Sequence, residues 1–250
     1  MNRYALSYAC ISDAGRTRSL NQDNYACDGT YMSISGPVPV FPIIGDADTQ
    51  RIHLFGVFDG MGGEDCGEIA SFLAAQKAAF YNFYGDVEYE IRELCMSTND
   101  TICQYTREHD EVFSMGATAA MVAFAPEKIV ICNIGDSKIF RFSDNMLRQV
   151  STDHLMFAPH GHKPPLSQNL GIPKTELIID PFVDVCPYKD GDIYLICSDG
   201  LTDMLKTYEI QELLAEYNVG LGSTAQKLVD LAKANGGKDN ITVILINVKA

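Results

Sequence analysis

Four aspartates in this 250-residue sequence share one local design. Asp59 ends the run HLFGVFD and precedes Gly60-Met61-Gly62-Gly63. Asp136 follows KIVIC in NIGDS, Asp199 follows IYLI in CSDG, and Asp239 lies in GGKDN immediately before ITVIL. A strand holds its end rigidly, and neighbouring glycine lets backbone carbonyls approach a ligand. Carboxylates delivered from several strand ends can converge on one polar site. Like charges so close need a counter-charge, which a divalent metal supplies. Any single DG is most often a tight turn, as is Asp136 taken alone. Four at matching places are harder to dismiss, although spacing alone does not bring them together in space. Upstream, RTRSLNQDN adds Arg18, Asn21, Gln22 and Asp23. The planar fork of an arginine fits phosphate oxygens, whereas a typical surface arginine only makes a salt bridge.

These residues need strands to carry them. RYALSYACIS reads as a strand, residues 28–51 as turns with short extended pieces, and 52–58 as an apolar strand. Ile69, Leu73, Gln76, Phe80 and Phe83 recur at helical spacing and predict a helix from about Gly67 to Tyr84. A second is expected from Val87 to about His109. Strands follow at 117–124, 128–134 and 137–142. Residues 155–173 carry four of the ten prolines and read as a loop. A strand at 193–198 and a helix at 207–217 come next. A further helix starts at Ser223, where Ser223 and Gln226 fit a capping box, and stops at Gly236-Gly237. A buried strand at 241–248 closes the chain. Paired strands with grouped helices indicate an α+β fold in one continuous domain.

Composition excludes other classes. The chain is 46% hydrophobic and 21% charged, so disorder is not its theme. Its net charge of −14 disfavours nucleic acid and anionic membrane surfaces as partners. The N-terminus carries no signal-peptide pattern and no stretch approaches a membrane span. None of the eight cysteines forms a CxxC pair, and Cys132 and Cys197 sit in apolar runs; a reducing, cytoplasmic setting is expected.

The ordered set RTRSLNQDN, VFDGMGG, GATAA, NIGDSKIFRF, STDHL, LICSDGLTD and KDNITVILINV resembles the metal-dependent protein phosphatases (the PPM, or type 2C, serine/threonine family), specifically the compact bacterial members. The resemblance runs from about Ser12 to Val248. It implies an αββα sandwich of two central antiparallel sheets flanked by helices, with residues 1–250 forming one catalytic domain. It implies two Mn²⁺ or Mg²⁺ ions in a cleft at one edge, with a weaker third site. By motif, Asp59 would bridge both metals and the Gly60 carbonyl would bind one. Asp199 and Asp239 would ligate the other, and Asp136 with Asp199 would serve the third. Asp23 and Gln22 would hold metal-bound waters, Arg18 would grip the phosphate, and Asp203 and Asn240 would support this shell.

The implied activity is hydrolysis of phosphoserine and phosphothreonine in proteins by a metal-activated water, in a monomer opposing a bacterial Ser/Thr kinase. CISDAGR at 10–16 has the CxxxxxR spacing, but its cysteine lies in the predicted strand RYALSYACIS rather than in a phosphate-binding loop, so a cysteine phosphatase is disfavoured. The alternative is a pseudophosphatase that binds a phosphoprotein or regulatory partner without turnover. A phosphatase dedicated to one regulatory target is a third option.

Several residues depart from the family pattern. Gln22 stands where many members have Glu, and Met61 replaces a histidine that many eukaryotic members use as general acid. Glu64 sits where bacterial relatives often have His. Lys138 replaces Arg, with only a packing or surface consequence expected. His154 matches a motif, with a structural hydrogen bond as its expected role. The flap is short, about 155–166, and its His160 and His162 read as solvated loop rather than metal ligands.

Overall fold

The computed structural model describes residues 4–34, 41–62, 66–109, 112, 114–159, 162–216 and 220–250. Among the described residues, thirteen strands form two sheets. The first contains β1 (Ala5–Asp13), β4 (Ile43–Asp48), β9 (Lys138–Ser143), β10 (Met146–Gln149), β12 (Ile193–Cys197) and β13 (Ile241–Lys249). The second contains β2 (Asp23–Cys27), β3 (Thr30–Tyr31), β5 (His53–Gly62), β6 (Met115–Ala117), β7 (Ala119–Ala125), β8 (Lys128–Ile134) and β11 (Phe182–Cys186). Their orders are β10-β9-β12-β13-β1-β4 and β11-β8-β7-β5-β2-β3, with β6 on the end of β5. Every pairing is antiparallel.

Alternation of apolar side chains builds three layers of core. In β13, Ile244, Ile246 and Val248 point between the sheets, where they meet Tyr25, Phe55, Val57 and Ile131 of the second sheet. The intervening Ile241, Val243 and Leu245 point outward. There they are covered by α3 (Asp199–Thr202), α4 (Thr207–Ala215) and α5 (Leu221–Ala234), through Leu201, Ile210, Leu214, Leu228 and Val229. The second sheet's outer face, with Leu54, Phe58, Met121 and Val130, is covered by α1 (Gly67–Ala79) and α2 (Val87–Glu108). Each fully buried Ile or Leu contributes about 1.5–3 kcal/mol. This is the expected αββα sandwich.

Several boundaries differ from the sequence reading. α1 stops at Ala79, because Phe80 is exposed and Tyr81 packs edge-on against Phe83 in the turn that leads to the Asp86 cap of α2. α5 begins at Leu221 with Gly220 as its cap, so the Ser223–Gln226 capping box does not form. A glutamate closes α4 instead: Lys206 N–H donates to the Glu209 carboxylate at 2.7 Å. β5 does not end at Asp59 but continues to Gly62, exchanging β7 for β6 as its partner. β2, β10 and β11 are absent from the sequence reading.

Candidate active site

One edge of the sandwich collects the predicted residues. Arg18, Gln22, Asp59, Gly60, Asp136, Asp199, Asp239 and Asn240 line a cavity of about 330 Å³, with Met61 and the flap residues Lys163–Leu166. The second sheet supplies Asp59 from β5 and Asp136 just after β8. The first supplies Asp199 just after β12 and Asp239 just before β13.

Each position is fixed locally. Asp59 N–H donates to Thr118 Oγ1 at 3.0 Å, and Thr118 N–H returns a bond to the Asp59 carbonyl at 2.9 Å. That exchange breaks the expected 117–124 strand into β6 and β7. Gly60 N–H donates to the Gln22 carbonyl at 3.0 Å, and a Cβ on Gly60 would run into the carbonyls of Gly67 and Gln22. Only glycine fits there. Asn240 ties the Arg18 loop to the site: its Oδ1 accepts from Gln22 N–H at 2.8 Å, and its Nδ2 donates to the Ala14 and Leu20 carbonyls. Gly15, at φ +77°, lets that loop pass against the Asp239 carbonyl.

Asp23 does not line the cavity. It is 2% exposed, behind Asp59, and its Oδ2 accepts from Ser198 Oγ and Thr242 Oγ1, both at 2.7 Å. Thr242 Oγ1 in turn bonds Ser12 Oγ at 2.7 Å, and Asn21 Nδ2 donates to Ser12. Burial pushes the Asp23 carboxyl up to about 7, against the pull of the two hydroxyls. Burial and the neighbouring aspartates hold Asp59 well above the carboxylate range, and burial with Asp199 pushes Asp136 up to about 6. These carboxylates repel one another and want a cation.

Two cations of the chain answer part of that demand. Arg18 Nη2 donates to Asp239 Oδ2 at 2.9 Å. Lys163 Nζ donates to Asp199 Oδ2 and, at 3.1 Å, to the half-exposed Asp203. Among the described residues, no three Asp, Glu, His or Cys side chains are yet gathered tightly enough to enclose an ion. The donors are nevertheless all hard oxygens around one cavity, the chemistry that Mg²⁺ and Mn²⁺ select.

Gln22 Nε2 donates to Glu68 Oε2 at 3.3 Å. Lys138 is half-buried and has a packing role: it bonds the Asp136 carbonyl at 3.2 Å and the Asp153 carboxylate, bracing the Asp136 turn. His154 makes structural hydrogen bonds to Gly135 and Ser167 through its backbone, while its Nδ1 is buried without a partner among the described residues. His162 is exposed. Gly63, Glu64 and His160 lie outside the described residues. Sequence reasoning passed over Lys163, Glu68, Thr118, Ser198 and Thr242, although Thr118, Ser198 and Thr242 stood inside motifs it had singled out.

A larger cavity, about 890 Å³, adjoins the first and shares Met61 and Gly62 with it. It runs between α2 and residues 169–176.

Known proteins agree with this picture. The serine/threonine phosphatase Stp of Listeria monocytogenes is 28% identical over 256 residues, covering 94% of this chain and 93% of that protein. The serine/threonine protein phosphatase PstP of Mycobacterium tuberculosis is 26% identical; the alignment covers 97% of this chain and 45% of that longer protein. The crystal structure of the Mycobacterium tuberculosis phosphatase superposes with a TM-score of 0.79 at 26% identity, over 98% of this chain and all of the other. A PstP catalytic domain in complex with two manganese ions superposes at 0.78, with 26% identity over 99% of this chain and all of that one. The family model for protein phosphatase 2C matches residues 46–231, a span that contains Asp59, Asp136 and Asp199. With its motifs, its sandwich and its ring of cavity carboxylates in agreement, the chain belongs to the protein phosphatase 2C family.

Proposed function

We propose that this chain is a metal-dependent phosphatase that hydrolyses phosphoserine and phosphothreonine in proteins. The observation that carries the reading is the ring of Asp59, Asp136, Asp199 and Asp239 around one cavity with Arg18 at its rim. Asp59, Asp199, Asp239 and the Gly60 carbonyl are the residues that would hold two Mn²⁺ or Mg²⁺ ions. When bound, such a pair supplies a water acidic enough to act as nucleophile near neutral pH.

The chain's own groups do the rest. Arg18, half-exposed and now on Asp239, turns its guanidinium to the phosphate oxygens and fixes the ester. Asp23 stays behind Asp59 as a hydrogen-bonded acceptor for a water position, and Gln22 borders it. Asn240 keeps the Arg18 loop in place, and Asp203 holds Lys163. Met61 has no proton to give, so the leaving alkoxide takes its proton from solvent in the open cavity. The adjoining cavity gives the polypeptide on either side of the phosphoresidue a place to lie.

Wider assignments extend the same reading. The protein opposes a Ser/Thr kinase, the kind of enzyme that makes the phosphoserine and phosphothreonine it would cleave; its bacterial relatives are named serine/threonine phosphatases. It works as a monomeric single catalytic domain in the cytoplasm, where eight cysteines outside any disulfide are at home. No helix among the described residues is long and apolar enough to cross a membrane. The test is hydrolysis of p-nitrophenyl phosphate and a phosphothreonine peptide with Mn²⁺, Mg²⁺ or EDTA. Metal-dependent turnover abolished by Asp199→Asn is expected. Specific phosphopeptide binding without turnover under any metal would sink the enzyme and favour a pseudophosphatase.

A further inference from the structure

We propose that the ammonium of Lys163 is a tethered cation that takes the place of a third divalent ion on the Asp136–Asp199 side of the cavity. The inference rests on the phosphatase reading and says how many ions that site holds. Lys163 Nζ contacts Asp199 Oδ2 and lies 3.1 Å from Asp203 Oδ2. Asp136 lines the same cavity as Lys163 and Asp199. Asp199 thereby commits one oxygen to the ammonium, while its Oδ1 has no hydrogen-bond partner among the described residues and stays free for a metal. One carboxylate can serve both cations.

The flap delivers this lysine by construction. Its base is closed by the Leu155–Leu166 bridge, by Met156 N–H on the Pro165 carbonyl at 2.8 Å, and by Ser167 N–H on the His154 carbonyl at 2.9 Å. Lys163 is followed by Pro164 and Pro165. A proline fixes its own φ and pushes the residue before it out of the helical region. The backbone at Lys163 is therefore narrowed to extended shapes, which lowers the backbone entropy lost when its side chain engages Asp199. An ammonium is a compact point charge with three donors, suited to sit between carboxylates.

Stripped protein titrated with Mn²⁺, with free Mn²⁺ read by electron paramagnetic resonance, tests this. The wild type should bind about two ions per chain and Lys163→Gln about three, the added one weakly. Lys163→Arg should stay near two. Adding Asp136→Asn to Lys163→Gln should remove the extra ion. Equal stoichiometry near two in wild type and Lys163→Gln, with turnover intact, would overturn this inference alone. So would tighter binding at the first two sites without a third, which would make Lys163 a competitor for them. No tight Mn²⁺ in either chain would overturn the phosphatase reading and this inference together.

Discussion

Asp23 of β2 and Asp59 of β5 stand directly opposite each other in an antiparallel ladder. Like charges at facing positions destabilise a sheet. The fold keeps the pair by handing Asp23 two hydroxyl donors, Ser198 and Thr242, from the other sheet. The strain of the pair is thus relieved partly by hydrogen bonds and, on the reading above, partly by metal.

That arrangement sets a pH dependence. Asp23 sits near 7 and Asp136 near 6 when folded, against 3.8 when free. The folded chain therefore binds more protons than the unfolded one between about pH 4 and 7, and its stability falls as pH rises through that window. For Asp23 alone the loss is on the order of 4 kcal/mol. Thermal unfolding in EDTA should show Tm dropping from pH 5 to pH 8, and saturating Mn²⁺ should flatten or reverse the slope. A Tm in EDTA that rises over this range would contradict the carboxylate cluster.

Ser198→Ala removes one donor from the buried Asp23 oxygen and one acceptor from Thr242 N–H. A loss of about 1–3 kcal/mol in urea unfolding is expected, together with weaker Mn²⁺ binding. Unchanged Mn²⁺ affinity would detach Asp23 from the metal site.

Gly60→Ala drives a methyl group into the Gly67 and Gln22 carbonyls, which belong to backbone and cannot swing away. The cost should exceed about 2 kcal/mol in chemical denaturation, and the residual folded protein should bind Mn²⁺ poorly. A neutral substitution would mean β5 and α1 separate easily at this point.

Arg18→Ala should mainly raise KM for phosphorylated substrates, by roughly tenfold or more, with a smaller change in kcat. Steady-state kinetics with a phosphothreonine peptide provides the check, and an unchanged KM would remove Arg18 from phosphate binding.

Thr175→Trp partly fills the larger cavity at an exposed position. Turnover of p-nitrophenyl phosphate should be unaffected, while KM for a phosphopeptide should rise about five- to tenfold. Equal effects on both substrates would place the flanking polypeptide elsewhere.

Much of this site is legible in the sequence because its carriers are strands with strong apolar alternation. β8, β12 and β13 show themselves, and Asp136, Asp199 and Asp239 follow from where they stop or start. Asp59 was placed correctly but for the wrong reason, since β5 runs on past it and changes partners at Thr118. That exchange depends on a side chain–backbone contact between distant segments, which no local pattern encodes. The same limit hid the burial of Asp23, whose hydroxyl donors come from residues 175 and 219 positions away. Phe80 and Phe83 kept a helical spacing that the turn into α2 overrides. β10 and β11 are short and mostly exposed or half-buried, too weak in alternation to stand out. Lys163 carries no signal in the sequence, and its bonds to Asp199 and Asp203, made across distant segments, are what mark it as part of the site.

The four cavity aspartates are shared between two leaves of β-structure, Asp59 and Asp136 on one, Asp199 and Asp239 on the other. An ion gripping Asp59 together with Asp239 would act as a rivet through both leaves. Its departure and any sliding of one leaf over the other would then be a single event, so loading the site would stiffen the whole slab against shear, far from where phosphate is handled.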